Sequence, residues 1–455
     1  MAKYQTLSRA AFGALMALLM LPGPGELRAQ LPSRPETAPT PVRLPAHEAG
    51  LRLQDLIQLS LERNPVLSQA TFDIEAARGR AVQAGLYPNP TVSMVGDELG
   101  GRQGPGGRIT APLVSQEIVT GGKLRLSRAV AERGIDQASL TLLRQRFALF
   151  TTVRQGYFEV LADQRRIEVL NELVQLASQS SENARKILGA GEGSKPDVLQ
   201  FQIELARLQT ERETAGRDLI AAWRRLVASL GAPELPYRSL IGSLDDPIPD
   251  YDFDRSRTIV LEESPEVRSA RVGITRAQLA LQRAQAEPIP NVTLGSGYTR
   301  NNKDRDNEWT IQASVPIPVF NRNQGNIREA QAELGRATRD VDRVQTDLVG
   351  RLATAFGQYA SARQRAERYR REILPAAQES YRLTLLAFRG GQFEYLRVLQ
   401  AQRTIAEANL SLIQALSEQW RAASEIAGLL LEEEWPVPTC RSAFGSPGPG
   451  QTPTK

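Results

Sequence analysis

Cysteine and histidine are almost missing. The chain has one of each, Cys440 and His47. A disulfide within the chain is therefore impossible, and His/Cys metal sites are nearly excluded. Aromatic residues make up only 6 %, as expected where helices pack through Ala and Leu instead of around a thick core. The four methionines are dispersed and make no soft-metal path. No dense basic cluster with interleaved aromatics occurs, so nucleic-acid binding has little support. The net charge of +5 is carried mostly by Arg, and part of it lies in Lys3, Arg9 and Arg28 near the start. A catalytic constellation is missing as well. His47 lies in a flexible lead-in, and Cys440 sits in a Pro/Gly-rich tail. Asp245-Asp246 and Asp97-Glu98 read as solvated linker and loop acids. No enzyme activity, cofactor or bound metal is expected.

Proline is missing over one long stretch. From Lys123 to Leu188 there is none, and the only glycines are Gly134 and Gly156. Leu140, Leu143, Phe147, Phe150, Tyr157, Leu161, Ile167, Leu170, Val174 and Ala177 step in threes and fours, the mark of an amphipathic helix or coiled-coil seam. One helix over this run would reach about 100 Å. Several shorter helices in an ordinary bundle are the alternative. The run ends in Gly189-Ala190-Gly191-Glu192-Gly193, a glycine cap and turn. Helical pattern resumes at Pro196, runs to about Leu230 and stops at Gly231-Ala232-Pro233. This predicts a long helical hairpin over 122–231 with a tight tip.

Lys3 and Arg9, the apolar run Ala10–Leu21 and the Leu27-Arg28-Ala29 site read as a signal peptide over residues 1–29. The apolar run is too short to span a bilayer. Residues 30–50 form a flexible segment and Leu51–Leu61 a short helix. Asn64-Pro65 opens a helix that Tyr87-Pro88-Asn89-Pro90 stops. The period then changes to two: Thr91–Val95 and Ile109–Leu113 flank a glycine-rich loop, with Pro112 suited to an edge or a bulge. This first repeat covers 51–233, with strands at about 90–117. Residues 234–252, with three prolines, read as a linker.

The chain then starts again. Ser264-Pro265 follows Asn64-Pro65 by 200 positions. Pro288-Ile289-Pro290, Val292-Thr293, Gly391 and Leu399-Gln400 keep the same offset from Pro88-Asn89-Pro90, Val92-Ser93, Gly191 and Leu199-Gln200. One offset over five landmarks is an internal duplication, with a period far longer than a solenoid unit. The second repeat covers 253–431, with strands at about 290–316 and a helical hairpin over 325–431 that Pro375 is expected to kink. Its tip is Arg389-Gly390-Gly391-Gln392. Residues 432–455 form a Pro/Gly/Ser/Thr-rich tail expected to be disordered.

Val292, Leu294, Ser296 and Tyr298 share one strand face, and Thr293, Gly295 and Gly297 the other. Trp309, Ile311, Ala313 and Val315 alternate with Thr310, Gln312 and Ser314. That dyad fits a membrane β-barrel strand, with Tyr298 and Trp309 together in an interfacial aromatic girdle. It fits equally a soluble sandwich hairpin packed on a core. If the strands span a membrane, four of them cannot close a barrel and lipid forbids an open edge. Several chains must then share one barrel, and three give one wide enough for a pore. Both long hairpins would leave its opposite end.

The doubled order of Asn64-Pro65, Tyr87-Pro88-Asn89-Pro90, strand hairpin, Gly121-Gly122-Lys123, long helix and glycine tip resembles the TolC-like outer membrane efflux proteins, from about Leu51 to Leu431. The Gly121-Gly122-Lys123 entry and the Gly189–Leu199 tip look most like the heavy-metal, CzcC-like branch. The resemblance implies a mainly α fold with a small membrane β part. It implies a homotrimer with a twelve-stranded outer-membrane barrel in lipid, continued by a periplasmic α-helical barrel. It also implies docking of the tips (Gly189, Gly191, Gly193, Gly390, Gly391) to a periplasmic adaptor, a membrane fusion protein, and an inner-membrane pump of the resistance-nodulation-division type. The expected function is a passive efflux duct for heavy-metal cations or, alternatively, for drugs or small molecules. Drug-export relatives carry two entrance aspartates; here the matching positions are Arg397 and Gln400, while Asp197 is the first-half equivalent of Arg397. An entrance ring of Asp197 and Arg397 would pair by charge; ordinary solvated helix charges are the alternative. A soluble periplasmic coiled-coil scaffold or adaptor is the competing class. An adaptor would need a lipoyl-like β domain, which is absent, and a scaffold would not need strands at the same point in both halves.

Overall fold

A computed structural model describes residues 50–97, 107–191, 193–389 and 395–436. The element order repeats. Helices α1 (Leu53–Arg63) and α2 (Pro65–Ala84), strands β1 (Thr91–Asp97) and β2 (Arg108–Ile118), and helices α3 (Lys123–Gly189) and α4 (Lys195–Ser229) make the first half. Helices α5 (Phe253–Glu263) and α6 (Pro265–Ala286), strands β3 (Val292–Asn301) and β4 (Asp306–Ser314), and helices α7 (Gln324–Arg368), α8 (Leu374–Arg389) and α9 (Tyr395–Leu429) make the second. The fold is mainly helical, with two β-hairpins in tandem halves.

Helix α3 is unbroken for 67 residues, about 100 Å of rise. Its counterpart in the second half is not. A π-helical turn, Tyr369–Ile373, separates α7 from α8. Pro375 explains the break: it has no N–H to offer the carbonyl four residues back, and its ring crowds that position. The expected kink at Pro375 is therefore a widened turn on its N-terminal side.

The helix ends show the duplication atom by atom. Asn64 Oδ1 accepts from Val66 N at 2.8 Å, with Pro65 at the first helical position. Asn64 Nδ2 also donates to Ser229 O at 2.7 Å, so one side chain satisfies the start of α2 and the end of α4. Ser264 caps α6 in the same way. Gly231 N and Ala232 N donate to Ala228 O and Val227 O; Leu431 N and Glu432 N donate to Gly428 O and Ala427 O, 200 positions on. Gly231 has φ +75°, and a Cβ there would lie 2.6 Å from Arg63 O, so the site requires glycine. Leu431 adopts φ +60° with a full side chain, an uncommon conformation held by the bonds that close the helix end.

The segment read as a linker is fastened along its length. Leu51 N donates to Ser239 O at 3.0 Å and Ile241 N to Leu51 O at 2.9 Å. Tyr157 Oη donates to Ile241 O and Trp420 Nε1 to Leu244 O at 3.0 Å. Arg370 pairs with Asp245.

A buried knot joins the middle of α3 to the end of α9. Phe158 stacks on Trp420 with centroids 4.0 Å apart, and Trp435 meets both rings edge-on. Arg154, fully buried, donates through Nη2 to Glu432 O at 2.6 Å and Glu433 O at 3.0 Å. Its guanidinium lies 5.1 Å from the Trp435 ring centroid, a cation–π contact. Loss of hydration lowers the Arg154 pKa to about 10, with Tyr251 and Glu432 opposing the shift.

Between α3 and α4 runs a strip of charge. Arg225 pairs with Glu159 at 2.8 Å, and Arg166 reaches Glu211 and Asp218. Asp163 lies among these acids. Burial first, and the Glu159 and Asp218 charges next, push its carboxyl up to about 6 from 3.8. A raised carboxyl pKa stabilises the fold fully below the ordinary 3.8 and loses that contribution as pH rises through about 6. Asp163→Asn is therefore expected to raise the unfolding midpoint at pH 7.5 and to leave it unchanged at pH 4. Thermal unfolding of both proteins at the two pH values checks this; equal midpoints at pH 7.5 would contradict it.

Candidate functional site

The strands form one antiparallel sheet in the order β1-β2-β3-β4. Strand β2 runs to Ile118, where Gln116, Glu117 and Ile118 pair with Leu294, Thr293 and Val292 in the other half. Pro112 sits in a bulge between Thr110 and Leu113, which absorbs its missing donor.

The two faces of the sheet differ sharply. On one face Val92, Met94, Trp309 and Ile311 are 70–83 % exposed, with Leu294 and Tyr298 beside them. Nothing among the described residues covers this apolar face, which disfavours a sandwich core. Tyr298 pairs directly with Trp309, their rings edge to face at 6.0 Å. On the other face the hydroxyls bond in series: Thr110 to Thr299 at 2.8 Å and Thr299 to Thr310 at 2.5 Å. Thr91 and Ser115 do the same at 2.7 Å. Gly297 makes room for the bulge; a Cβ there would lie 2.8 Å from Thr110 Cγ2. Hydroxyls and glycines on one side and bare aliphatic and aromatic side chains on the other suit a wall between water and hydrocarbon.

The junction of sheet and helices explains Gly121-Gly122-Lys123. Both glycines have φ +66°, which turns the chain from β2 into α3. Lys123 is thereby buried, with Nζ donating to Asn291 Oδ1 at 2.8 Å. Asn291 Nδ2 donates to Glu117 Oε1 at 2.6 Å, and Thr120 Oγ1 to Pro290 O at 2.6 Å. This buried polar network locks the start of α3 onto the second half.

At the far ends of the helices, Gly189 closes α3 and Gly191 has φ +82°. A Cβ on Gly193 would press on Leu188 N at 3.1 Å. Ser194 then caps α4: its Oγ accepts from Asp197 N at 3.3 Å and donates to Asp197 Oδ2 at 2.6 Å. Asp197 is thus engaged by its own helix start. Arg397 and Gln400 are exposed in the first turns of α9. Gly390 and Gly391 lie outside the described residues, as do Glu98, His47 and Cys440.

Behind the tips the structure joins residues that the sequence reading passed over. Glu204, buried on α4, accepts at Oε2 from Arg403 Nη2 at 2.7 Å and Nε at 2.8 Å. Gln402 Nε2 donates to Ser180 Oγ at 2.7 Å. Ala184, Val198, Phe201 and Leu399 close a small core between them. The sequence signal was an acid at a core position, three residues after Phe201 and four before Leu208. Among the described residues no group of three or more His, Cys, Asp or Glu is placed to hold a metal ion, and no helix is long and apolar enough to cross a membrane.

Removing one partner of a buried pair strands the other. Glu204→Ala is expected to cost about 2–3 kcal/mol in chemical denaturation, less than the roughly 3–5 of a fully buried pair, because Arg403 is 36 % exposed. The double change Glu204→Leu with Arg403→Met is expected to recover most of that loss. An unchanged midpoint in Glu204→Ala would contradict this.

Comparison with known proteins gives the same doubled frame. The outer membrane efflux protein family matches the chain twice, over residues 56–232 and 258–430. The cobalt-zinc-cadmium resistance protein CzcC of Cupriavidus metallidurans is 27 % identical over 395 residues, which cover 87 % of this chain and 93 % of that protein. The pyoverdine export outer membrane protein OpmQ of Pseudomonas putida is 25 % identical, over 83 % of this chain and 88 % of its own length. The crystal structure of CusC, described in terms of transmembrane channel formation, superposes with a TM-score of 0.72 at 19 % identity, covering 83 % of this chain and 91 % of that one. The chain belongs to the outer membrane efflux protein family.

Proposed function

We propose that this protein is the passive exit duct of a tripartite heavy-metal efflux system. Three copies supply the twelve strands of one outer-membrane barrel, and their long helices continue it as a tube through the periplasm. The observation that carries this reading is the bare apolar face of a four-stranded sheet with two open edges. Such a sheet is untenable in lipid until copies close it. Helix α3, at about 100 Å, supplies the reach. A secretory leader over residues 1–29 delivers the chain across the inner membrane.

The tip residues Gly189, Gly191 and Gly193, with Gly390 and Gly391, are the docking ends for a periplasmic adaptor. That adaptor connects the duct to an inner-membrane pump of the resistance-nodulation-division type. Asp197, Arg397 and Gln400 line the entrance. In the assembled tube Arg397 of one copy meets the tip of the next, where Asp197 is presented on its capped helix start. Energy comes from the pump.

Similarity to CzcC supports divalent metal cations as cargo. The polar strand face supports their passage without coordination, since its hydroxyls bond to one another. A second reading, export of a small organic molecule, is favoured by the similarity to OpmQ. Deleting the gene in its host and restoring it on a plasmid separates the two. The metal reading expects tolerance to zinc, cobalt or cadmium to fall severalfold on deletion and to return on complementation. Loss of antibiotic tolerance or siderophore export with unchanged metal tolerance would overturn the metal assignment and leave the duct.

A further inference from the structure

The two open edges of the sheet are not equivalent, and the internal repeat relates them. Strand β2 of the first half pairs with β3 of the second inside one chain. The same operation, applied again, sets the end of the second half against the start of the first half of another copy. In the hairpins, Val92 lies opposite Val114 and Thr293 opposite Ser314. Val92 corresponds to Val292, at an offset of 200. Val114 therefore corresponds to Val315, at an offset of 201. The helix starts agree: Gly122 and Asn323, also 201 apart, both hold left-handed φ before α3 and α7.

We infer that a second copy of this chain seats its β1 on residues 315–319 beyond β4, with Val92 opposite Val319, Met94 opposite Ile317 and Gly96 opposite Val315. The pairs follow from the internal ones, Ile118 with Val292, Gln116 with Leu294 and Val114 with Ser296. The inference rests on the duct reading and adds the register of its seam.

The backbone gives the same parity independently, which excludes a one-residue slip. Asn302 N donates to Gly107 O at 2.9 Å, in line with the Arg108–Asn301 pair. Even-numbered residues of β3 therefore exchange hydrogen bonds with β2, and odd-numbered ones turn toward β4. Their β4 partners are even-numbered: Ser314, Gln312 and Thr310. Strand β4 ends at Ser314; carried on through residues 315–319, the same alternation turns the N–H and C=O groups of Val315, Ile317 and Val319 to the open edge. Pro316 and Pro318, with no N–H to give, fall on the other parity and remove nothing from the seam. The same count across β2 turns Val92, Met94 and Gly96 to the other open edge. Every residue matched by the repeat falls on the parity that faces the edge where it is needed.

The side chains agree as well. Val92, Met94, Val315, Ile317 and Val319 are all exposed; with β4 extended through residue 319, all five fall on the apolar face and the seam continues it. In the single chain Val319 N closes a tight turn onto Ile317 O at 2.9 Å. Pairing exchanges that bond for one to Val92 O and frees Ile317 O for Met94 N. A one-residue slip would turn apolar side chains to the water side, and a two-residue slip would set Val319 against Met94 in one direction and against Pro90, which has no N–H to give, in the other.

Cysteine cross-linking tests the register in the full-length protein, in a Cys440→Ser background that has no other thiol. The matched pairs are Val92→Cys with Val319→Cys, and Met94→Cys with Ile317→Cys. Directly opposed Cα atoms lie about 5.5 Å apart, within disulfide reach. The slipped pairs are Met94→Cys with Val319→Cys, and Met94→Cys with Val315→Cys. Each reduced variant is first shown to assemble in detergent as its parent does. Oxidation is expected to give covalent multimers for both matched pairs and little product for the slipped ones. Preferential cross-linking of a slipped pair, or none from either matched pair in an assembled protein, would overturn the register and leave the duct standing. A parent that is monomeric in detergent would overturn both.

Discussion

A strand edge cannot be left open in hydrocarbon. Each unpaired backbone N–H or C=O there costs several kcal/mol, and no water is present to pay it. Among the described residues the chain carries one sheet of four strands and therefore two such edges. Its apolar face is bare and its opposite face is filled with hydroxyls and glycine. The sheet is consequently incomplete in a single copy. Closure by further copies gives the apolar face its lipid and the polar face its water, and the helices then have a fixed ring to hang from.

The duplication is what makes such closure geometrically simple. Both halves end their return helix with the same pair of backbone bonds, and both enter the long helix through a left-handed residue. The halves are not interchangeable, however. The first has Gly231 where the second has Leu431, and the first runs straight where the second has a π turn before Pro375. Besides the β2–β3 ladder and the packing of α3 on α6, side chains bind the halves to each other at three levels. Lys123, Asn291 and Glu117 lock the junction below the sheet. Phe158, Trp420, Trp435 and Arg154 form the knot at mid-helix. Glu204 and Arg403 tie the region behind the tips. Any movement of one half against the other must act on these points.

Much of this was legible in the sequence because it is local. The absence of proline from Lys123 to Leu188 marked the long helix, and the alternation from Val292 to Tyr298 marked a strand with two unlike faces. Asn64-Pro65 and Ser264-Pro265 marked helix starts through capping chemistry that acts within three residues. What escaped was non-local. The pairing of β2 with β3, nearly two hundred residues away, leaves no local signal. The proline-rich stretch before Tyr251 read as a free linker, since composition does not reveal that Tyr157 and Trp420 reach its carbonyls. Nothing local to Arg154 signals that the carbonyls of Glu432 and Glu433 meet it. At the tip the opposite held: Asp197 invited a distant partner, and the local cap at Ser194 engages it within the chain.

The central claim is that the sheet is completed only by other copies of this chain, as a pore. The most direct measurement combines native mass spectrometry of the protein extracted from outer membranes in detergent with its conductance in a planar lipid bilayer. The account predicts a single species of three chains that inserts and conducts ions across the bilayer. A stable monomer in detergent that leaves the bilayer silent would contradict it.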